Sequence, residues 1–477
     1  MTDISVPIDD HSIAMRIRPE RLAWSVVLLM FAIFCMICVV STLGLHFFLF
    51  ESSLPMSTTL YVGRGTLSVE VQGNAEPETN QRLIGSETTI RTDRTDSWSQ
   101  AVIDIRDGGG QSDNAILRAI VMSDTTVTVD RATRPRFDWS TTLYEVRLSN
   151  LSGEIDLTVG PELSQDIRIV VVASNGAEIR ISNSGRYVIE SSETQTRVTN
   201  RRGEIVLISP DGLSASSIPP NQQAIYTAGD PVIQRLPTLT DLLRNSQLDV
   251  RPGADVDPGE QPIENTPPIA WTCTNQPTTN LPLGRYYEAT GPEGREGLRL
   301  VRGEGADSNG RTLCEQTFGE DGLDVTGYDF LQLQATFFIA SQSLNGCGEK
   351  GSECPIMLSI DYKVDAQQPD DENIQWIHGV YTRPLEPHQD SWLRQCSTCL
   401  QPHVLIYDNT WYLYDTGNLF EVIPDDRRPA VITRVRIFAE GHQYDVYVDE
   451  VGLYGRPIDQ PSVAWPRMTD IAETHDS

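Results

Sequence analysis

The chain has 477 residues, enough for two or three domains. It carries 66 Asp and Glu against 37 Lys and Arg, a formal net charge of −29. So acidic a surface excludes nucleic-acid binding, whose phosphates need a basic face. It suits an exported, soluble surface, or one that takes up calcium.

Residues 1–21 are a short polar tail with no apolar periodicity, too small to form a domain. Residues 22–50 then read LAWSVVLLMFAIFCMICVVSTLGLHFFLF, without a single Asp, Glu, Lys or Arg. A bilayer core about 30 Å thick needs roughly 20 apolar residues as a helix, and a helix closes its backbone hydrogen bonds internally, as lipid demands. The run exceeds the apolar region of a secretory signal, and no clear small-x-small cleavage site follows it. The expectation is an uncleaved transmembrane helix. Arg16, Arg18 and Arg21 precede it, whereas the far side shows no Lys or Arg until Arg64. Basic residues stay on the cytoplasmic side. This places the N-terminus in the cytoplasm and the rest of the chain in an extracellular or periplasmic ectodomain.

From residue 56 to about 235 the sequence is a succession of short strands. Leu67, Val69 and Val71 alternate with Ser68, Glu70 and Gln72, and Ile155, Leu157 and Val159 alternate with Asp156 and Thr158. Ile167, Ile169 and Val171, then Ile179 and Ile181, then Ile205 and Leu207 continue the pattern. Period-two alternation at this density predicts antiparallel β structure with one buried face. Asp107 to Gly110, Asn175-Gly176 and Asp211-Gly212 supply the turns. Gly153-Glu154-Ile155-Asp156-Leu157 recurs as Gly203-Glu204-Ile205-Val206-Leu207. Two copies do not make a solenoid.

IRTDRTDSWSQAVIDIRD with ILRAIVMSDTTVTVD, then YEVRLSNLSGEIDLTV, then VVASNGAEIRISNSGRYVIESSETQTRVTNRRGEIVLIS and LSASSIPPNQQAIY together resemble an FecR-like domain over residues 85–227. The resemblance implies an exported all-β domain of bacteria. The best-known members of that family are membrane-anchored sensors that signal to a cytoplasmic anti-sigma region. Here the tail of 21 residues is too short for such a helical region. No catalytic or ligand residues carry over.

Residues 236–270 read as a linker. Thr240 to Arg244 suggests one or two helical turns, and RPGADVDPGEQPIENTPP is an extended Pro- and Asp-rich spacer.

Residues 271–457 show further strands at a spacing that fits a β-sandwich or jelly roll. GLRLVR, GYDFLQLQATFF, PIMLSIDYKV, WIHGVYTRP, NTWYLYDTGNLFEV and RVRIFAEGHQYDVYVDEVGLYG resemble galactose-binding-like and carbohydrate-binding-module jelly rolls. This is a fold-level likeness, and fold does not dictate function. Residues 458–477 form a polar tail expected to be disordered. The fold class is therefore mostly β: one N-terminal transmembrane helix, an all-β FecR-like domain and a β-sandwich jelly-roll domain.

Cys35 and Cys38 lie within the apolar run, and the other six cysteines all fall in the last third of the chain. An even set in an exported domain reads as disulfides. Six cysteines allow 15 pairings. Short spacings favour Cys347 with Cys354 and Cys396 with Cys399, leaving Cys273 with Cys314. The rival is a zinc site, since His403 follows Cys396-x-x-Cys399, but no second Cys or His pair stands at ligand spacing.

The jelly-roll resemblance implies a structural Ca²⁺ near the Asp of the last strand, here Asp449 with Glu450 beside it. Calcium needs six to eight oxygen ligands, and the opening segment TCTNQPTTN offers no carboxylate. No other cofactor is expected. For a glycan partner, aromatic rings that stack on sugar faces are the candidates: Trp376, Tyr381, Trp392, Tyr412 and Tyr414. In the strand 411–415, alternation places Trp411 with Leu413 on the expected core face and Tyr412 with Tyr414 on the other. No G-x-S-x-G, H-E-x-x-H or P-loop occurs, and nothing marks Asp361, Asp449 and Glu450 as a facing carboxylate pair. The expectation is a non-enzymatic membrane protein whose ectodomain binds or senses an envelope ligand, a glycan or a protein. The alternatives are a transmembrane regulator of FecR type acting through its short tail, and a structural envelope protein.

Overall fold

The computed structural model describes residues 19–458, apart from 72, 109–114, 138, 161–165, 251–263, 370–371, 385–392 and 397–398. Arg16, Arg18, Gly109, Gly110, Trp392, the central linker and the tail 459–477 thus lie outside the described residues. So does the side chain of Arg21.

The chain forms two compact units. The smaller comprises residues up to Leu54 together with Pro135–Thr142. Its helix, Pro19–His46, continues through Phe47–Glu51 in a wider turn. The stretch Ala23–Glu51 is long and apolar enough to cross a membrane, and its side chains are not buried against protein. At about 1.5 Å per residue its 29 residues extend roughly 43 Å. The segment 135–142 caps its end: Ser140 Oγ and Thr141 N donate to the Phe50 carbonyl at 2.6 and 3.0 Å. Phe137 packs edge-on against Phe48, Trp139 stacks on Phe137 with centroids 4.9 Å apart, and the Arg136 guanidinium lies over Phe48. Trp139 is 62% exposed.

The larger unit is all but entirely β. In its first part, two sheets share one long strand, Tyr144–Val159, and close around a single core. The first half of that strand pairs antiparallel with Thr126–Pro135 and parallel with Ile167–Ala173. The second half pairs with Ala115–Val121 and Gly185–Ser191 in the other sheet. The change of sheet falls at Gly153, with φ +107°, where a Cβ would meet Thr125 Cα at 2.6 Å. A side chain is excluded both by the dihedral and by the space. The echoing Gly203 has φ +102°, and a Cβ there would overlap the Tyr187 hydroxyl. The repeated Gly-Glu-Ile thus marks two places where a strand must pass close to a neighbour. The alternating apolar residues, Leu67, Val69, Ile155, Leu157, Ile169 and Ile179 among them, all point into this core.

The second part is a two-sheet sandwich. One sheet runs from Arg285–Thr290 through Glu296–Arg302, Tyr444–Pro457 and Tyr328–Gln342 to the edge strand Trp411–Asp415. The other is built on Thr272–Gln276, Gly310–Thr317, Val431–Gly441, Ile356–Lys363 and Ile374–Tyr381. The core lies between them. Three disulfides occur, at the pairings that spacing favours: Cys273–Cys314, Cys347–Cys354 and Cys396–Cys399. The first links two paired strands at register Cys273↔Cys314.

Thr240 to Arg244 departs from the expected helical turns. Thr240 and Asp241 instead pair with Gly455 and Tyr454 of the closing strand, and Leu243 and Leu248 are buried in the sandwich core. An exposed strand flank offered backbone partners and an apolar seat, and these outweigh a weak local preference.

Candidate functional site

The two β parts of the larger unit meet over two surfaces. In the first, the segment Asp96–Gln100 runs onto the free flank of the edge strand Trp411–Asp415. The Gln100 carboxamide donates from Nε2 to the Leu413 carbonyl at 3.0 Å and accepts from the Leu413 amide at 2.9 Å. It thereby replaces the neighbouring strand that this edge lacks. The Tyr412 hydroxyl donates to the Trp98 carbonyl at 2.9 Å. The Trp98 ring stacks on Tyr414, which stacks on His378, which in turn stacks on Trp376.

The second surface is a cleft of about 680 Å³. The first part contributes Arg118, Thr158, Ser184, Arg186 and Arg202, and the sandwich contributes Glu288, Arg295, Glu296, Asp449 and Glu450. Arg118 is held bidentate by buried Asp104 at 2.7 and 2.9 Å. Arg186 bonds Asp156 at 3.0–3.3 Å and also pairs with Glu450 across the junction. Glu450 further accepts from the Tyr454 hydroxyl at 2.7 Å and faces Arg201 at 3.7 Å. Burial opposes the charge on Arg186, but Asp156, with Tyr454 and Asp449, outweighs it and holds the guanidinium protonated. Arg295 pairs with Asp449 and lies over the Trp411 ring at 4.8 Å. Burial outweighs Asp449 there, and its pKa is lowered. Its Nη1 is buried without a hydrogen-bond partner among the described residues. Further along the junction Glu154 is pushed well above the ordinary carboxylate range, first by burial and then by Glu190 and Asp415.

This geometry bears directly on the residues singled out from sequence. Tyr412 and Tyr414 are 1% and 0% exposed and belong to the sandwich core. Trp376 is likewise in that core, and Tyr381 is buried in a satellite cluster with Cys347, Cys354 and Phe438. None of these four rings offers an open face to a sugar. The assignment of strand faces is reversed. Tyr412 and Tyr414 point inward, whereas Leu413 points outward against Val102 and Ile120, and Trp411 packs with Phe338 and Tyr447. Both faces are buried because the first β part covers the outer one, so apolarity did not distinguish them.

Asp449 and Glu450 are engaged by Arg295 and by Arg186 and Arg201, so guanidinium groups stand where a calcium ion would have to sit. Among the described residues, the one cluster of three metal-ligating side chains is Cys396, Cys399 and His403, and its two sulfurs are joined. Sequence reasoning missed the cleft arginines altogether. In an acidic chain, the strand positions of Arg118 and Arg186 amid apolar neighbours were the available signal.

No family model and no curated protein sequence matches the chain. Among solved structures, a protein described as an anti-sigma factor from Parabacteroides distasonis is similar at 13% identity and TM-score 0.23. That likeness covers 31% of this chain and 59% of the other, so the chain spans about three-fifths of its length. A family 11 carbohydrate-binding module from Clostridium thermocellum, in complex with a mixed-linked tetrasaccharide, is similar at 11% identity and TM-score 0.23, over 40% of this chain and 91% of the module. An exo-β-agarase is similar at 11% identity and TM-score 0.20, over 40% of this chain and 23% of its own. At these TM-scores the likenesses carry no argument about function.

Proposed function

We propose that this chain is a membrane-anchored, non-enzymatic binding protein whose exported β unit takes a polar, hydroxyl-rich ligand, an envelope glycan, in the cleft between its FecR-like part and its sandwich. The observation that carries this is the cleft: about 680 Å³, lined by both parts, with guanidinium and carboxylate groups already fixed by ion pairs. Such preorganised donors and acceptors suit sugar hydroxyls, and their charges largely cancel, which suits a neutral ligand.

Anchoring is supported by the apolar helix and by Phe137 and Trp139 beside its end, aromatic groups of the kind enriched where a helix leaves the bilayer. Export is supported by the three disulfides. The basic cluster Arg16, Arg18 and Arg21 supports a cytoplasmic N-terminus.

The test is a glycan array probed with the full chain in detergent, beside Thr158→Trp and Ser184→Trp, which fill the cleft and leave every charged residue of its lining in the sequence. Binding by the wild type and its loss in both variants at unchanged melting temperature is expected. No binding to any glycan, or binding indifferent to the filled cleft, would refute the reading.

A further inference from the structure

The three disulfides differ in what they hold. Cys273–Cys314 ties two strands, and Cys347–Cys354 is wholly buried. Cys396–Cys399 spans only three positions and joins no two elements, and its Cys399 is half-exposed while Cys396 is buried. In the chain-entropy account so short a loop contributes roughly 2 kcal/mol, the least of the three.

Beside it stands His403, fully buried. Its Nδ1 accepts from the Gly379 amide at 2.7 Å. The position requires a glycine, since a Cβ at 379 would overlap Cys354 Sγ, lie 2.7 Å from Met357 Sδ and press on the imidazole at 3.0 Å. An amide N–H can only donate, so Nδ1 must carry the lone pair and the neutral ring holds its proton on Nε2. Nε2 lies 3.4 Å from Cys399 Sγ, and the Gly351 backbone also hydrogen-bonds the imidazole. A metal ligand would need a bare Nε2, which the Gly379 amide disfavours. A thiolate needs a donor, which is what the ring presents. Arg394 lies on the strand paired with His403 and adds positive potential, while His378 faces His403 edge-on. Both histidines are held neutral by burial, His403 at about 4. A nearby cation and a hydrogen-bond donor both favour thiolate over thiol.

We propose that Cys396 and Cys399 form an exchange-active dithiol–disulfide pair, with Cys399 as the nucleophile, His403 as the positioning residue that stabilises its thiolate, and a disulfide-bearing exported protein as the partner. In the reduced state the Cys399 thiolate attacks one sulfur of the partner's disulfide. The Cys399–partner bond forms as the partner's S–S bond breaks, and the released partner thiolate takes a proton from water. The Cys396 thiol gives up its proton to water, and its thiolate attacks Cys399 Sγ. The second partner thiolate leaves, and the Cys396–Cys399 bond is restored. Two electrons pass from this pair to the partner; the reverse sequence oxidises a partner dithiol.

The test uses the full chain in detergent, equilibrated in buffers of reduced and oxidised glutathione, with free thiols alkylated and located by mass spectrometry. Cys396 and Cys399 should open together while Cys273, Cys314, Cys347 and Cys354 stay oxidised. After reduction, the rate of Cys399 alkylation against pH should show a midpoint at least one unit below the ordinary thiol value of about 8.5. His403→Asn should return it toward that value. Cys396→Ser, which leaves His403 in place, should keep the low midpoint and form a mixed disulfide with oxidised glutathione. A pair that opens no sooner than Cys273–Cys314, an ordinary midpoint in Cys396→Ser, or stoichiometric zinc uptake by the reduced protein would overturn the proposal.

Discussion

Gln100→Ala tests whether the two β parts are held as one body. Gln100 is 1% and Leu413 2% exposed. Leu413 faces away from its only strand neighbour, so its amide and carbonyl both depend on the Gln100 side chain. Alanine removes both partners. A buried backbone group without a partner costs about 1–3 kcal/mol. Two such groups, partly relieved by relaxation, put the loss at about 2–4 kcal/mol. Tyr412→Phe removes one hydroxyl bond at the same surface and should cost about 1 kcal/mol. Scanning calorimetry of the full chain in detergent is the assay. At roughly 2–4 °C per kcal/mol for domains of this size, Gln100→Ala should lower the transition by about 4–16 °C and split it if the parts then melt separately. An unchanged single transition would show that the Gln100 hydrogen bonds contribute nothing to holding the two parts together.

Loss of the cross-strand disulfide in Cys273→Ser should cost about 4 kcal/mol by its 41-residue separation, against about 2 kcal/mol for Cys396→Ser, read as the difference in urea midpoints. His378 is fully buried, and neither of its ring nitrogens has a hydrogen-bond partner among the described residues. His378→Phe keeps the ring stack and removes the unpaired polar atoms, so it should stabilise the protein at pH 7 by about 1–3 kcal/mol. Because burial lowers the folded-state pKa of His378, the wild type loses stability as pH falls through the unfolded value of about 6.5. The variant should lack that component, so its advantage should widen toward pH 5 by up to about 1.4 kcal/mol per unit. A constant difference would show that His378 does not titrate on unfolding. Trp139 should be quenched by brominated lipid in reconstituted vesicles, with a blue-shifted emission; emission typical of a water-exposed indole would place residues 135–142 away from the bilayer surface.

Much of this architecture is a local property of the chain and was legible as such. The charge-free run 22–50, the alternating strands and the Gly153 and Gly203 steps each follow from a few consecutive residues. The disulfide pairs followed from short spacings and from a single remaining partner. Site residues are another matter. Alternation says that the two faces of Trp411–Asp415 differ, not which of them meets the core, and here both are buried because a segment some 310 residues earlier covers the outer one. Asp449 and Glu450 looked free to hold a cation, yet their charges are met by Arg295 from 154 residues away and Arg186 from the other β part. The cleft itself exists only where two separately encoded surfaces meet. Pattern within a segment records how that segment divides water from core; which distant groups share its space is decided by the packing of the whole unit, and binding chemistry depends on that second quantity.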